Sequence, residues 1–270
     1  MIAYPNAKIN LGLYILNKRT DGFHSIETCF YPIPLVDILE IIPSTALTFT
    51  SSGNPIPGNA DSNLCIKTYE SIKKIQNVPP VHIHLHKIIP IGAGLGGGSS
   101  DAAFTGKVLN EQFELNLTIE QLEDSVRSIG SDCAFFIQNK SILAHDKGDR
   151  FSQPNIVDLS KRWIYLIYPP IHISTKEAYD GVIPNDNRLP LAEILTRPID
   201  EWKELLVNDF EVSIFQKYPE LKAIKETLYK HGACYASMSG SGSSIFGIFD
   251  EKPEKIDISI PDAFTFIAQL

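Results

Sequence analysis

Residues 90 to 101 read Pro-Ile-Gly-Ala-Gly-Leu-Gly-Gly-Gly-Ser-Ser-Asp, with five glycines in the seven positions from Gly92 to Gly98. Glycine admits positive φ and lets a ligand come close to the main-chain amides. Successive N–H groups can then form a concave anion site, and a following helix adds its positive dipole end. Ser99 and Ser100 contribute hydroxyls that can donate to phosphate oxygens or help hold Mg²⁺. Capture of a triphosphate is the chemistry these residue types offer.

Two familiar phosphate motifs do not account for the loop. A Walker A sequence requires a lysine after its last glycine, and none follows here. The segment Gly92-Ala-Gly94-Leu-Gly-Gly97 matches a dinucleotide fingerprint by count. Helical sequence, however, occupies the place about 20 residues on where that fold needs an acidic residue on a strand.

Two charged residues are candidates for chemistry beside such a loop. Asp132, in Gly130-Ser-Asp-Cys-Ala-Phe-Phe136, follows the end of a helical stretch. A carboxylate there can take a proton from an alcohol within hydrogen-bonding reach, or it can cap a turn. Lys8 sits in the strand-like AKINLGLYIL, where an inward unpaired charge would be costly and an exposed lysine is the commoner arrangement. His82, His84 and His86 share one face of a strand, about 7 Å between successive members. That spacing is long for two ligands on one ion, so a solvent-facing row is expected and no protein metal site.

The elements that must position these groups alternate between strand and helix without regular βαβ order, which points to an α+β fold. Strands are expected at 7–16 and 36–42. A helix should follow Asp61 and Ser62, with Leu64, Thr68, Ile72 and Ile75 on one face. Val81, Ile83 and Leu85 alternate with the histidines in a strand that leads into the glycine loop, and a helix containing Phe104, Val108 and Leu109 leaves it. Thr118 to Gln121 forms a capping box for a helix with Leu122, Val126 and Ile129 inward, closed by Gly130. The polar, irregular stretch 147–159 suggests a boundary, giving domains 1–152 and 153–270. The second opens with the strand RWIYLIYP, continues in helices around 202–210 and at 219–230, and ends with strands ACYASM and SIFGIF around Ser239-Gly-Ser-Gly242.

Composition excludes several classes. Over 270 residues, 43% are hydrophobic and 21% charged, as in soluble globular proteins. No apolar run approaches the roughly 18 residues of a membrane span, and the N-terminus lacks a signal-peptide layout, so a cytoplasmic protein is expected. The net charge of −8 carries no basic stripe for nucleic acid. Cys29, Cys65, Cys133 and Cys234 are far apart and form neither a zinc nor a disulfide pattern. Oligomeric state is not legible.

At the loop the chain resembles the GHMP kinases, whose second motif is Pro-x-Gly-x-Gly-Leu-Gly-x-Ser-Ser. The variant GLGGGSSDAA at 94–103, with its extra glycine, is similar to the branch that phosphorylates a cytidine diphosphate conjugate of methylerythritol in non-mevalonate isoprenoid synthesis. Ala7-Lys-Ile-Asn-Leu-Gly12 followed by Arg19-Thr-Asp-Gly-Phe-His24 resembles the same branch's first motif, and Met238 to Ser244 resembles the third. The matches span about the whole chain.

The resemblance implies a two-domain fold with the active site in the interdomain cleft, ATP with Mg²⁺ as phosphoryl donor, and the 2-hydroxyl of the methylerythritol part as acceptor. Another alcohol taken by a different GHMP kinase is the alternative. It also implies roles. Asp132 accepts the hydroxyl proton, and Lys8 lies beside it and offsets charge on the phosphoryl group. Pro90, Ile91, Gly92, Ala93, Gly94, Leu95, Gly96, Gly97, Gly98, Ser99 and Ser100 hold ATP, with Asn63 nearby. Asn10, Phe23, His24, Thr175, Gly240, Ser241 and Gly242 serve the substrate, Phe23 and His24 at the cytosine and the glycine turn toward the phosphates. By residue type alone, Asn63 reads equally as a helix cap and Thr175 as a loop hydroxyl. Two departures stand out. Ser131, Cys133 and Ala134 replace the usual Ala, Val and Pro around the aspartate, and Phe23 replaces a tyrosine, which keeps stacking and loses a hydroxyl.

Overall fold

A computed structural model describes residues 1–59, 62–258 and 260–270. The chain packs as two compact units, Met1–Lys8, Leu35–Ile91 and Gly96–Lys140 forming one, and Ile9–Pro34, Gly92–Leu95 and Ser141–Leu270 the other. These units follow packing rather than chain order.

The first unit holds strands β1 (Ile2–Ala3), β4 (Ile38–Pro43), β5 (Thr48–Gly53) and β6 (Val81–Lys87) in the order β1-β4-β6-β5. β6 pairs antiparallel with β4, Ile83 opposite Ile41, and parallel with β5. On β6, Val81, Ile83, Leu85 and also Lys87 are buried, as the period of two requires. Among the described residues, helices α1 (Leu64–Lys73), α2 (Gly97–Gln112), α3 (Ile119–Arg127) and α4 (Cys133–Gln138) accompany the sheet. The helix expected after Asp61 and Ser62 begins at Leu64, with Asn63 as its cap; Asp61 itself lies outside the described residues. Ile75, expected on the inner face of α1, is exposed because the helix ends at Lys73. The capping box of α3 forms in full between Thr118 and Gln121.

The second unit contains most of β2 (Asn6–Lys18) and β3 (His24–Val36), which continue into β7 (Ile142–Asp146) and β8 (Arg150–Ser152) in the order β2-β3-β7-β8. β3 was not expected; it contains Pro32 and Pro34, residues disfavoured in strand interiors. Both lie outside Ile26–Phe30, the stretch paired with β7. A second sheet has the order β10-β11-β9-β12, from β9 (Trp163–Tyr168), β10 (Tyr235–Met238), β11 (Ile245–Phe249) and β12 (Phe264–Gln269). Helices α5 (Thr175–Asp180), α6 (Leu191–Ile194), α7 (Trp202–Leu205), α8 (Phe210–Lys217) and α9 (Pro219–Lys230) complete the unit. Its core gathers Tyr165, Ile167, Phe210, Ile214, Leu221, Ile224 and Ile245.

One helix expected around 202–210 is in fact two, α7 and α8. The chain leaves helical geometry between them so that Asn208 can donate from Nδ2 to the carbonyls of Met238 and Gly240, each at 2.8 Å. The Asn208 Oδ1 in turn accepts from the Phe210 N–H that starts α8.

Candidate active site

The glycine loop leaves β6 and ends at Gly96, the N-cap of α2, which takes φ 70°. No side chain caps α2, and the first N–H groups of a helix have no partner within it. Ser100 Oγ is buried and has no hydrogen-bond partner, an orphaned donor at the start of the helix. Leu64, next to the α1 cap, lies 3.6 Å from where a Gly98 Cβ would be, which brings the start of α1 to the loop. Asn63 Oδ1 accepts from the Cys65 N–H, so the capping role is real.

In the same unit, Lys8 and Asp132 meet. Lys8 Nζ is 3.5 Å from Asp132 Oδ2, with side-chain exposures of 4% and 23%. A Cβ at Gly96 would lie 3.2 Å from Lys8 Cγ and 3.0 Å from the Phe136 ring, so the pair stands directly against the loop. Burial lowers the Lys8 pKa, and the Asp132 charge pulls it back up. Asp132 occupies the N-cap position of α4 but makes no capping bond. Its Oδ1 accepts from Ser131 Oγ at 3.1 Å. Cys133 and Ala134, the unusual neighbours, are buried in α4, and burial pushes the Cys133 thiol up to about 11.

In the second unit, Gly92–Leu95 lies on the turn Ser239–Gly242. Ser239 Oγ donates to the Gly94 carbonyl at 2.9 Å, and the Ser244 N–H to the Ala93 carbonyl at 3.3 Å. Gly94 has φ 78°, and a Cβ there would fall 2.0 Å from the Ser239 carbonyl oxygen. Only glycine fits both demands. Asn10 is buried, donates to Thr28 Oγ1 at 2.9 Å, and has its Oδ1 3.5 Å from where a Gly240 Cβ would be.

Phe23 is 59% exposed, with Lys147 Nζ 5.1 Å from its ring centroid. His24 stacks on Tyr179 at 4.9 Å and 20°. Thr175 is not in a loop: it is the first residue of α5, capped by Ser174, and is exposed. Together these residues present an exposed aromatic face, a ring nitrogen and a hydroxyl.

The description "GHMP kinases N terminal domain" matches residues 63–140, and "GHMP kinases C terminal" matches 191–259. A 4-diphosphocytidyl-2-C-methyl-D-erythritol kinase of Cytophaga hutchinsonii is 63% identical over 270 residues, the whole of both chains. One from Parabacteroides distasonis is 47% identical over 272 aligned residues, again with both chains fully covered. The chain belongs to the GHMP kinases, in their 4-diphosphocytidyl-2-C-methyl-D-erythritol kinase branch. A crystal structure of 4-(cytidine 5'-diphospho)-2C-methyl-D-erythritol kinase superposes with TM-score 0.77 at 29% identity, covering 92% of this chain and 90% of that one. The mevalonate kinase of Methanococcus jannaschii shares the fold, with TM-score 0.71 at 14% identity and coverage of 100% and 98%. The fold is thus the α+β GHMP kinase fold, and the protein is an ATP-dependent kinase with a small-molecule acceptor.

Several residues at the site escaped sequence reasoning. Tyr179 lies one helical turn after Thr175, a spacing that could have drawn attention to it. His172 sits with its ring Nδ1 3.4 Å from a Gly92 Cβ position, and no local pattern marks it. The histidine row, expected to face solvent, is half-buried and bonded to a neighbouring strand. Thr48, Thr50 and Ser52 on β5 lie opposite His82, His84 and His86 in register, and their hydroxyls alternate with the imidazoles in one hydrogen-bonded ladder. The polar strand TFTSSG hid this partner.

Proposed function

We propose that this kinase transfers the γ-phosphoryl group of ATP to the 2-hydroxyl of 4-diphosphocytidyl-2-C-methyl-D-erythritol, giving the 2-phosphate and ADP. The observation that carries the chemistry is the Lys8–Asp132 pair set against Gly96 at the start of a helix that no side chain caps. The high identity with kinases named for this substrate carries the choice of acceptor.

Transfer follows from these groups in one in-line step. Asp132 accepts the hydroxyl proton as the alcohol oxygen bonds to the γ-phosphorus. The bond from that phosphorus to the β–γ bridging oxygen breaks, and its electron pair leaves with ADP. The buried Lys8 ammonium offsets the charge on the transferring group, in surroundings where little water screens it. The N–H groups of Pro90–Ser100, proline excepted, cradle the triphosphate, with Asn63 nearby. Asn10, Phe23, His24, Thr175 and the Gly240–Ser241–Gly242 turn hold the substrate, with stacking from Phe23 and base-edge recognition from His24.

Mg²⁺ would enter with ATP and neutralise charge on the phosphate oxygens. Among the described residues no group of three or more His, Cys, Asp or Glu is gathered for a metal ion. The fit is instead to hard hydroxyl donors, Ser99 and the orphaned Ser100 Oγ, with the triphosphate supplying the rest. We further place the boundary between N- and C-terminal domains at residue 152, between the two matched regions. We assign the protein to the cytoplasm, in keeping with four free cysteines and no helix among the described residues long and apolar enough to cross a membrane.

The test is an ADP-release assay with the full chain, Mg²⁺ and ATP, comparing the cytidine diphosphate conjugate with mevalonate, homoserine and galactose. Release with the conjugate alone is expected. Release with one of the other alcohols and none with the conjugate would overturn the substrate assignment.

A further inference from the structure

Three charged side chains that the reaction does not use lie together in the first unit. Asp37, Lys87 and Asp101 are 0%, 4% and 3% exposed. Lys87, the last residue of β6, donates from Nζ to Asp101 Oδ2 at 2.6 Å and to Asp37 Oδ2. Asp37, between β3 and β4, also accepts from the N–H groups of Ile88 and Ile89 through Oδ1, at 2.6 and 2.8 Å. Asp101 is in the first turns of α2, and its Oδ1 is buried without a hydrogen-bond partner.

As a means of holding a fold, this is expensive. Each buried ion costs several kcal/mol in lost hydration, and well-packed apolar residues often serve as well or better. The cost shows at Asp101, where burial pushes the carboxyl up to about 7 although Lys87 pulls it down; Asp37 adds a like charge. What charged groups provide and apolar ones do not is direction. Lys87, Ile88 and Ile89 are the last residues before the glycine loop, and Asp101 is the first after Ser100. The triad therefore ties the leading end of the loop to its trailing end. It also lies immediately beneath the loop: a Cβ at Gly97 would be 2.9 Å from Lys87 Nζ.

We propose that Asp37, Lys87 and Asp101 are positioning residues for ATP, a buried clamp that fixes both ends of the triphosphate loop so that its N–H groups are aimed before the nucleotide arrives. Preorganised donors need no rearrangement on binding, which is where affinity is gained. Loss of the clamp should loosen ATP and leave the acceptor alone. The proposal rests on the reading of the loop as the ATP site.

The experiment measures binding of the β,γ-imido analogue of ATP with Mg²⁺, and separately of the cytidine diphosphate conjugate, by calorimetry on the full chain. Lys87→Met, Asp101→Ala and Asp101→Asn are compared with the wild type. Asp101→Ala is expected to raise the nucleotide Kd at least fivefold and Lys87→Met at least tenfold, with the conjugate Kd within twofold. Asp101→Asn keeps an oxygen acceptor for Lys87 and should return the nucleotide Kd to within twofold of wild type. If Lys87→Met fails to fold, the Asp101 pair decides alone. A lowered Tm with unchanged nucleotide Kd, or an equal rise in both Kd values, would overturn the proposal. No nucleotide binding by the wild type would remove the ATP-site reading with it, whereas normal binding by wild type and Asp101→Ala would remove this proposal only.

Discussion

Replacing Lys8 by methionine removes one buried ammonium and keeps most of the side chain's volume. A unit charge 3.5 Å from another interacts by about 5 kcal/mol at an effective dielectric of roughly 20. The transferring phosphoryl group carries its charge at a comparable distance in the proposed reaction, so roughly 4 kcal/mol of transition-state stabilisation should be lost. That corresponds to about a thousandfold fall in kcat. None of the loop N–H groups is altered, so the Kd for ATP should stay within about fivefold. The Asp132 left behind has 23% side-chain exposure and keeps its bond from Ser131, so the protein should still fold. The assay is steady-state ADP release at saturating substrates, with ATP binding measured by calorimetry. A kcat within tenfold of wild type, in a folded variant, would refute the electrostatic role of Lys8.

Asp132→Ala should lose most turnover, at least a hundredfold in kcat, while ATP binding survives; a comparable loss of ATP affinity in calorimetry would count against its assignment as the base. Burial lowers the Lys8 pKa below its ordinary 10.5, and the working form is charged, so activity should be present at neutral pH and fall as pH rises through that lowered value. The alkaline limb of kcat should accordingly lie below pH 10.5, and Lys8→Arg, which does not lose its proton, should abolish that limb in whatever activity remains. Gly94→Ala must place a methyl 2.0 Å from the Ser239 carbonyl at a φ of 78°, and should cost roughly 2–3 kcal/mol of stability, read as a lowered midpoint in urea.

Much of the site was legible because phosphate chemistry leaves a local signature. The glycines of 92–98 and the serines that follow announce an anion loop, and the capping box at Thr118 announces a helix. Other parts were hidden for identifiable reasons. Pro32 and Pro34 masked β3, and the polar TFTSSG masked β5, which hid the hydroxyl partners of the histidines. The break between α7 and α8 depends on Asn208 reaching carbonyls 30 and 32 residues away, which no local pattern reports. Lys87 was within reach: it continues the inward parity of Val81, Ile83 and Leu85, and an inward lysine needs partners. Its partners, Asp37 and Asp101, are 50 and 14 residues distant, and only the fold identifies them.

The central claim is a phosphoryl transfer from ATP to one hydroxyl, with Asp132 as the base. Incubation of the purified full chain with Mg²⁺, ATP and the cytidine diphosphate conjugate, followed by ³¹P NMR, tests it most directly. A new phosphomonoester signal matched by ADP, coupled to the 2-position and absent with Asp132→Ala, is the predicted result. ATP binding without any new monoester, or the same monoester formed at an undiminished rate by Asp132→Ala, would contradict it.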